Sequence, residues 1–397
     1  MINVCIEPCK IIECQNGRRR TGLAFDDFIR LWRFFILMDT ERLKGIDGPL
    51  LGWFDGHARS LPWRDNPLPY YVWVSEIMLQ QTRVEAVKPF FARFTKALPD
   101  IDSLAACPEE QLLKLWEGLG YYNRVRNMQK AAQLAVENYG GALPDTYEEL
   151  LKLPGIGSYT AGAIASIAYG QAVPAVDGNV LRVVSRICGS TQDIAKQAVK
   201  KQFEEIVQAV IPAGKAGKFN QALMELGATV CLPNGQPDCG SCPVRERCYA
   251  FEHSCQMELP VKAGKKARRI EQRTVIVIRD SERAAIRRRP AKGLLAGLYE
   301  LPNAEGHLTP DETLQYVRDC HFSPIRIKEL PPAKHIFSHV EWQMSGYMVL
   351  VEDKEHEKNE NLLFIEPRQT ERDYPIPAAF AAYTKYLSIK LGQDKYE

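Results

Sequence analysis

Four cysteines lie close together in the chain, at a spacing that could hold a metal centre. They follow the pattern Cys231-x7-Cys239-x2-Cys242-x5-Cys248. Four thiolates in one loop can bind a tetrahedral zinc ion or an iron–sulfur cluster. Zinc ligands usually form two close pairs, whereas this window has one close pair between two more distant cysteines. The pattern therefore favours a 4Fe-4S cluster over zinc, and a loop of reduced, unliganded thiols is the third interpretation.

A second candidate is the stretch LPGIGSYTAGAIAS, in which Gly155 and Gly157 stand before a run of small, helix-forming residues. Backbone N–H groups at such a turn can bind a phosphate. A dinucleotide site would need a preceding strand, a third glycine and a later acidic residue. The preceding TYEELLKL has helical spacing instead. The stretch therefore predicts a helix–hairpin–helix turn that contacts a nucleic-acid backbone; a simple turn between two packed helices is the alternative.

Two carboxylates complete the set of candidate chemical groups. Glu76 lies among apolar neighbours in VWVSEIMLQQT, where partial burial would raise the pKa of its carboxyl group. Asp177 lies in AVDGNVLRVVSR, at a turn that leads into a helix. One carboxyl group that holds a proton and one that stays ionised form the usual pair for breaking a glycosidic bond. In the alternative, Glu76 shares an exposed helical face with Gln80 and Arg83, and Asp177 is only a helix N-cap.

Hydrophobic periodicity predicts the elements that would position these groups. Residues 38–257 carry apolar residues at the i, i+3, i+4 spacing of amphipathic helices. Residues 258–272 are basic and poor in apolar residues, which predicts an interdomain linker. In residues 273–397, RTVIVIR, ERAAIRRR and HIFSHVEWQMSGYMVLVED predict strands or a hairpin, and DETLQYVRDC and PAAFAAYTKYLSIKL predict helices. The predicted fold class is an all-α core followed by a small α+β domain.

Composition limits the class of protein further. A chain of 397 residues, 45% hydrophobic and 25% charged, is long enough for two or three globular domains. Its formal net charge of +2 means that a local basic patch, not a global field, would bind a polyanion. The stretch FIRLWRFFILM is too short and too basic for a membrane span or a signal core. We therefore expect a cytoplasmic protein whose cysteines are reduced.

Residues 1–37 have weak periodicity and contain Cys5, Cys9, Cys14 and an arginine-rich clump. They are predicted to be an unstructured extension, or to precede a true start at Met38. A cysteine-rich metal-binding appendage is the alternative.

From about Leu50 to near the C-terminus, the chain resembles the MutY family of adenine DNA glycosylases, in the helix-hairpin-helix superfamily. The resemblance rests on LPWR, SEIMLQQTRV, GLGYYNRVRN, LPGIGSYTAGAI, VDGNVLRV, the four cysteines and FSHVEW. It implies an enzyme that removes adenine mispaired with 8-oxoguanine or guanine in double-stranded DNA and starts base-excision repair. It also implies a 4Fe-4S cluster and a C-terminal MutT-like (Nudix-like) domain that inspects the oxidised base. We expect a monomer, with repair and replication factors as further partners and no membrane association.

The resemblance also implies catalytic roles. Glu76 matches the general acid that protonates adenine N7, and Asp177 matches the carboxylate that stabilises the oxocarbenium-like sugar. Asn179 and Tyr159 match residues that support this site. In the related endonuclease III family a lysine stands at the position of Tyr159 and forms a Schiff base with the sugar. Tyrosine cannot form an imine, so base removal without strand cleavage is predicted.

Other positions match residues that contact DNA. Arg64 and Gln81 correspond to positions near the flipped adenine and the mispair. Tyr121 corresponds to an aromatic wedge that fills the gap in the duplex. The loop that contacts 8-oxoguanine corresponds to Phe337, Ser338 and His339. A cluster that only staples its loop, with Arg245 and Arg247 facing DNA, is favoured over a redox role.

The chain departs from the family pattern at two places: the first cysteine gap is one residue longer than usual, and residues 1–37 have no counterpart. The glutamate cluster of nucleotide-hydrolysing MutT-like domains does not follow GLLAGLYELPNAEG. Pyrophosphatase activity is therefore not expected. Two other functions stay open: a glycosylase with lyase activity on oxidised pyrimidines, and a non-enzymatic iron–sulfur protein that binds DNA.

Overall fold

The computed structural model describes residues 41–264, 267–353 and 362–392. The predictions for residues 1–37 and for a start at Met38 lie outside these ranges. Within the described ranges, no helix has both the length and the apolar character that a bilayer crossing requires.

The first part of the described chain is helical. Its main helices are α1 (Asp47–His57), α2 (Pro62–Asp65), α3 (Pro69–Leu79), α4 (Val84–Ala97), α5 (Ile101–Ala106), α6 (Glu109–Leu115), α7 (Asn123–Tyr139), α8 (Tyr147–Leu150), α9 (Ser158–Ile167), α10 (Gly178–Cys188), α11 (Gln197–Gln208), α12 (Ala216–Thr229) and α13 (Tyr249–Glu252). Apolar residues at helical spacing bury one face of most of these helices.

These helices form two lobes, each with its own apolar core. One core contains Trp73, Phe94 and Trp116 and is built from residues between Leu61 and Ala165, together with Leu298 of the C-terminal part. The other joins α1 to residues 176–244, so the chain leaves this lobe after α1 and returns to it at α10. A cleft therefore runs between segments that are distant in sequence.

The C-terminal part is a mixed sheet with flanking helices. Its strands are β1 (Arg269–Arg279), β2 (Ala284–Arg288), β3 (Tyr299–Glu300), β4 (Asn303–Glu305), β5 (Pro324–Ile336), β6 (Val340–Val351) and β7 (Leu363–Ile365). The sheet order is β3-β2-β1-β6-β5, with β4 beside β1 and β7 beside β2. Strands β1 and β6 are parallel, and the other pairs are antiparallel. The helices of this part are α14 (Pro310–Asp319), α15 (Pro367–Asp373) and α16 (Ala381–Thr384).

The predicted fold class, an all-α core followed by an α+β domain, is confirmed. Two local expectations differ from the structure. Strand β1 begins at Arg269, inside the segment predicted as a linker, because its first residues pair with β6 from Val340 onward. The last predicted helix is broken into short turns, with only residues 381–384 α-helical, and Ser388 adopts a left-handed conformation that ends them.

Candidate active site

A cleft of about 840 Å³ lies between the two helical lobes and is lined by both. It gathers eight of the sequence-predicted residues: Arg64, Glu76, Gln81, Gly155, Gly157, Tyr159, Asp177 and Asn179. The wedge candidate Tyr121 and the Phe-Ser-His loop (residues 337–339) do not line this cleft; they meet each other elsewhere.

Glu76 lies in the last turn of α3 and is only 6% exposed. Its Oε2 accepts a hydrogen bond from the Tyr159 hydroxyl. Burial raises the pKa of Glu76 to about 7, and the Asp177 carboxylate also raises it, against the opposing effects of Tyr159 and Arg64. Because α3 ends at Leu79 and Glu76 is buried, Glu76 does not share an exposed helical face with Gln80 and Arg83. That alternative interpretation is wrong.

Asp177 is the N-cap of α10 and also faces the cleft. Its Oδ1 accepts the backbone N–H groups of Asn179 and Val180, both at 2.8 Å. Its Oδ2 accepts the Asn179 side-chain amide at 2.7 Å. Burial raises the pKa of Asp177, while these three donors favour its ionised form. The capping role and the position in the cleft therefore coexist in one residue.

Asn179 is held in place from its other side. Arg182 donates from Nη2 to Asn179 Oδ1 at 2.8 Å. Gly227 of α12 packs directly on Asn179, since a Cβ added there would lie 2.6 Å from the Asn179 Cβ. The amide group is thereby oriented with its nitrogen toward Asp177.

Tyr159 lies in the first turn of α9, directly after the glycine hairpin. Its hydroxyl contacts Met224 Sδ at 3.4 Å as well as Glu76. Burial and the neighbouring Glu76 carboxylate raise the pKa of Tyr159 well above its ordinary value. The hydroxyl therefore stays protonated and acts as a hydrogen-bond donor to Glu76.

The LPGIG stretch forms a hairpin between α8 and α9, as predicted. Gly155 has φ +79°, and a Cβ there would lie 2.8 Å from the Asn127 Cβ, so a side chain is excluded. Gly157 is the N-cap of α9, has no side chain to satisfy the first N–H groups, and is exposed. The backbone donors at this helix start are thus available to an anion.

Sequence reasoning missed the groups that hold Arg64. Glu225 of α12 is 1% exposed and accepts hydrogen bonds from Arg59 Nε at 2.6 Å and Arg64 Nη2 at 2.7 Å. These two arginines outweigh burial, so the pKa of Glu225 is lowered. Glu225 stands in the apolar run ALMELGA, where only the cost of burying an unpaired acid could have pointed to a partner.

Arg124 was also missed. Its guanidinium donates to the carbonyl groups of Ile77 (2.7 Å) and Gln80 (2.6 Å) at the end of α3, and to Leu119 (3.1 Å). Burial lowers the pKa of Arg124 to about 10. One side chain thus connects the helix that carries Glu76 to the loop that carries Tyr121.

Tyr121 and the Phe-Ser-His loop meet on the surface. Tyr121 is 47% exposed, has φ +49°, and places its hydroxyl 3.1 Å from the Ser338 Oγ. The loop is the tight connection between β5 and β6, in which the Phe337 ring packs on Trp342 with centroids 4.9 Å apart. Ser338 and His339 are exposed. The loop therefore has a packed base and two polar groups that face solvent.

The four cysteines line one small cavity together with Arg186 and Arg245. Arg186 Nη1 lies 3.2 Å from Cys231 Sγ. Across the described part of the chain, no three His, Cys, Asp or Glu side chains converge on a position for a single metal ion. Four cysteines line this one cavity, and the Arg186 guanidinium lies beside one of their sulfurs. This arrangement fits a metal cluster with thiolate ligands.

Comparison with known proteins finds two family matches. Residues 74–209 match the HhH-GPD superfamily base excision DNA repair protein family, and residues 274–386 match the NUDIX domain. The mouse adenine DNA glycosylase is 34% identical over 379 residues, covering 80% of this chain and 73% of the mouse protein. The human adenine DNA glycosylase is 33% identical over 383 residues, covering 80% and 69%. The chain belongs to the adenine DNA glycosylase family.

This membership confirms the resemblance predicted from the motifs. The protein is accordingly a DNA glycosylase, a hydrolase of base-excision repair. Among solved structures, it is similar to a thermostable thymine-DNA glycosylase (28% identity, TM-score 0.48, 52% of this chain and 94% of that chain). It is also similar to a trapped endonuclease III–DNA covalent intermediate (25% identity, TM-score 0.46, 53% and 94%).

Proposed function

We propose that the protein removes adenine paired with 8-oxoguanine or guanine in duplex DNA, without cutting the strand. The observation that carries this proposal is the hydrogen bond from Tyr159 to the buried carboxyl group of Glu76, in a cleft shared with Asp177. The cleft is large enough for a base that leaves the stack, at an unstacking cost of about a few kcal/mol.

Glu76 is the general acid of the proposed reaction. With its pKa near 7, a large fraction of Glu76 is protonated at neutral pH. The proton passes to N7 of the extruded adenine, the bond between the base and the sugar breaks, and adenine departs as a neutral molecule. Arg64, fixed by Glu225, lies at the same cleft where the base enters.

Asp177 stabilises the positive charge that develops on the sugar. Its carboxylate is held by three hydrogen bonds, so it needs no reorganisation as that charge forms. Water then completes the hydrolysis and leaves an abasic site. The same geometry also suits a transient covalent bond between Asp177 and the anomeric carbon.

The absence of an imine-forming group at position 159 supports base removal without strand cleavage. Tyr159 supplies a hydroxyl that is committed to Glu76. Lys200 and Lys262 also line the cleft, so strand cleavage by another amine is the specific alternative that an assay must test.

The opposite base is read by the C-terminal domain in this proposal. Ser338 and His339 are exposed beside Tyr121, and both can hydrogen-bond to the edge of 8-oxoguanine that carries its new N7–H and O8. Tyr121 fills the gap that the extruded adenine leaves. The glycine hairpin binds the DNA backbone without base readout.

We assign the 4Fe-4S cluster to Cys231, Cys239, Cys242 and Cys248. When bound, it holds the loop between α12 and α13 in one conformation. Arg186 balances the negative charge of the thiolates from the 3.2 Å contact with Cys231. Arg245, on the same cavity, extends the basic surface available to DNA.

The test incubates the protein with a duplex that carries adenine opposite 8-oxoguanine. The products are then divided into one sample treated with hot alkali and one left untreated. We expect a nick only after alkali. The Tyr159→Lys variant should nick without alkali and form an adduct that borohydride traps. A nick by the wild type without alkali, lost in Lys200→Met or Lys262→Met, would replace the proposal with a lyase. No nick in either sample would contradict adenine excision.

A further inference from the structure

The segment that ends in Tyr121 contacts the C-terminal domain at both of its ends. Tyr121 reaches Ser338 at one end, and Lys114 contacts residues 370–374 at the other. We call residues 114–121 the wedge segment. Lys114, at the end of α6, donates from Nζ to the carbonyl groups of Tyr374 (2.6 Å) and Thr370 (3.4 Å). These carbonyls lie at the C-terminal end of α15, where the helix dipole favours a cation.

Glu117 makes the second attachment. It is only 3% exposed, and its Oε1 accepts the backbone N–H of Ile376 at 2.8 Å and Lys114 Nζ at 3.2 Å. The ion pair between Lys114 and Glu117 is thus buried against main-chain groups of the C-terminal domain. Buried pairs of this kind fix geometry, because each charge is costly when displaced from its partner.

Close packing makes the third attachment. Gly118 has φ +100°, and a Cβ there would lie 2.8 Å from the Cα of Gly392. The backbones of the two domains therefore touch directly at this point. Three residues further along, Tyr121 reaches Ser338.

The wedge segment also has a rigid connection to the catalytic helix. Trp116, fully buried, donates from Nε1 to Gly120 O at 3.0 Å. The Arg124 guanidinium donates hydrogen bonds to the Leu119 carbonyl and to the carbonyl groups at the end of α3. The backbone of the wedge segment therefore joins two sets of polar contacts, one with the C-terminal domain and one with the helix that carries Glu76.

We propose that Lys114 and Glu117 are positioning residues that fix the Phe-Ser-His loop relative to Tyr121. Their contacts with residues 370–376 set where the C-terminal domain lies on the wedge segment. Recognition of 8-oxoguanine at the loop is thereby coupled to extrusion of adenine and to its cleavage. This inference rests on the proposed function and adds residues that control its specificity.

The test measures single-turnover excision of adenine opposite 8-oxoguanine and opposite guanine, in the full-length protein. Glu117→Ala leaves the Ile376 N–H without its acceptor. The preference for 8-oxoguanine should then fall about tenfold, with the rate opposite guanine changed by less than about twofold. Glu117→Gln keeps an acceptor oxygen for Ile376 and should restore most of the preference. Amide hydrogen exchange at Ile376 should accelerate in Glu117→Ala and not in Glu117→Gln.

Glu110 provides the matched control. It lies on α6, the helix that ends just before Glu117, and contacts Arg288 and Tyr299 of the C-terminal domain, but only at 3.4 Å. Its side chain is 55% exposed. Glu110→Gln should change the preference by less than about twofold. If Glu117→Ala does not fold, Lys114→Met serves in its place, with the same expected loss of preference.

Two failures are distinguishable. If the wild type removes no adenine opposite 8-oxoguanine, or shows no preference for it, the proposed function fails. The other failure needs a wild type that prefers 8-oxoguanine. If the folded Glu117→Ala or Lys114→Met variant keeps that preference, or if its excision rates opposite 8-oxoguanine and guanine fall equally, only the positioning role is overturned.

Discussion

At the scale of single residues, the carboxyl group of Glu76 titrates near neutrality mainly because it is buried. The Tyr159 hydroxyl opposes this effect, since it donates a hydrogen bond that favours the carboxylate. In the proposed mechanism, Tyr159 therefore both orients the Glu76 carboxyl group and holds its pKa within the range where proton transfer is useful. A higher pKa would leave a weaker acid, and a lower pKa would leave too little of the protonated form.

The pH dependence of excision follows from this balance. In the proposed mechanism the protonated form of Glu76 is the active one, so the single-turnover rate should fall as the pH rises through about 7. Tyr159→Phe removes a contact that lowers the pKa of Glu76, so its falling limb should move to higher pH. Tyr139→Phe is the control, since its hydroxyl bonds Glu149 away from the cleft. A limb that moves to lower pH in Tyr159→Phe would contradict the assignment.

At the scale of elements, the residue types at the starts of α9 and α10 were visible in the sequence. Asp177 at the start of α10 and the Gly-x-Gly turn before α9 are local signals, because capping and left-handed backbone depend on neighbouring residues. The end of α3 was not visible. It is capped by Arg124, more than forty residues away in the chain, and no local pattern encodes such a contact.

The glycine hairpin gives a prediction at this scale. Gly155→Ala puts a methyl group 2.8 Å from the Asn127 Cβ at a positive φ, which should destabilise the helical part by about 1–3 kcal/mol. Gly157→Ala meets nothing within 4 Å and has a negative φ, so its thermal midpoint should stay near that of the wild type. Thermal unfolding of both variants decides this. Equal midpoints for the two variants would contradict the packing argument.

At the scale of the whole molecule, the sequence predicted two kinds of domain but not how they meet. Leu298 of the C-terminal part is fully buried in the core of a helical lobe, and Tyr121 reaches Ser338 across more than two hundred residues. Neither contact has a periodic signal. Likewise, Arg64 and Gln81 could be matched to the family by motif, whereas the Glu225 partner of Arg64 required the fold.

The proposal that the C-terminal domain reads the opposite base predicts a change in specificity when its loop is altered. Ser338→Ala combined with His339→Ala removes the two exposed polar groups and leaves the Phe337 packing on Trp342 in place. Excision opposite 8-oxoguanine should fall about tenfold or more, while excision opposite guanine should change little. Rates on the two duplexes under single-turnover conditions measure this. An equal loss on both would show that the loop does not read the opposite base.

In the proposed mechanism, Glu76 and Asp177 together break the bond between adenine and its sugar. The most direct measurement compares the wild type with Glu76→Gln on a duplex carrying adenine opposite 8-oxoguanine, with duplex affinity measured in parallel. The excision rate should fall about 10²–10⁴-fold because the amide cannot deliver the proton, while affinity stays near that of the wild type. A Glu76→Gln enzyme that still releases adenine at a rate close to that of the wild type would contradict the role of Glu76 as the general acid.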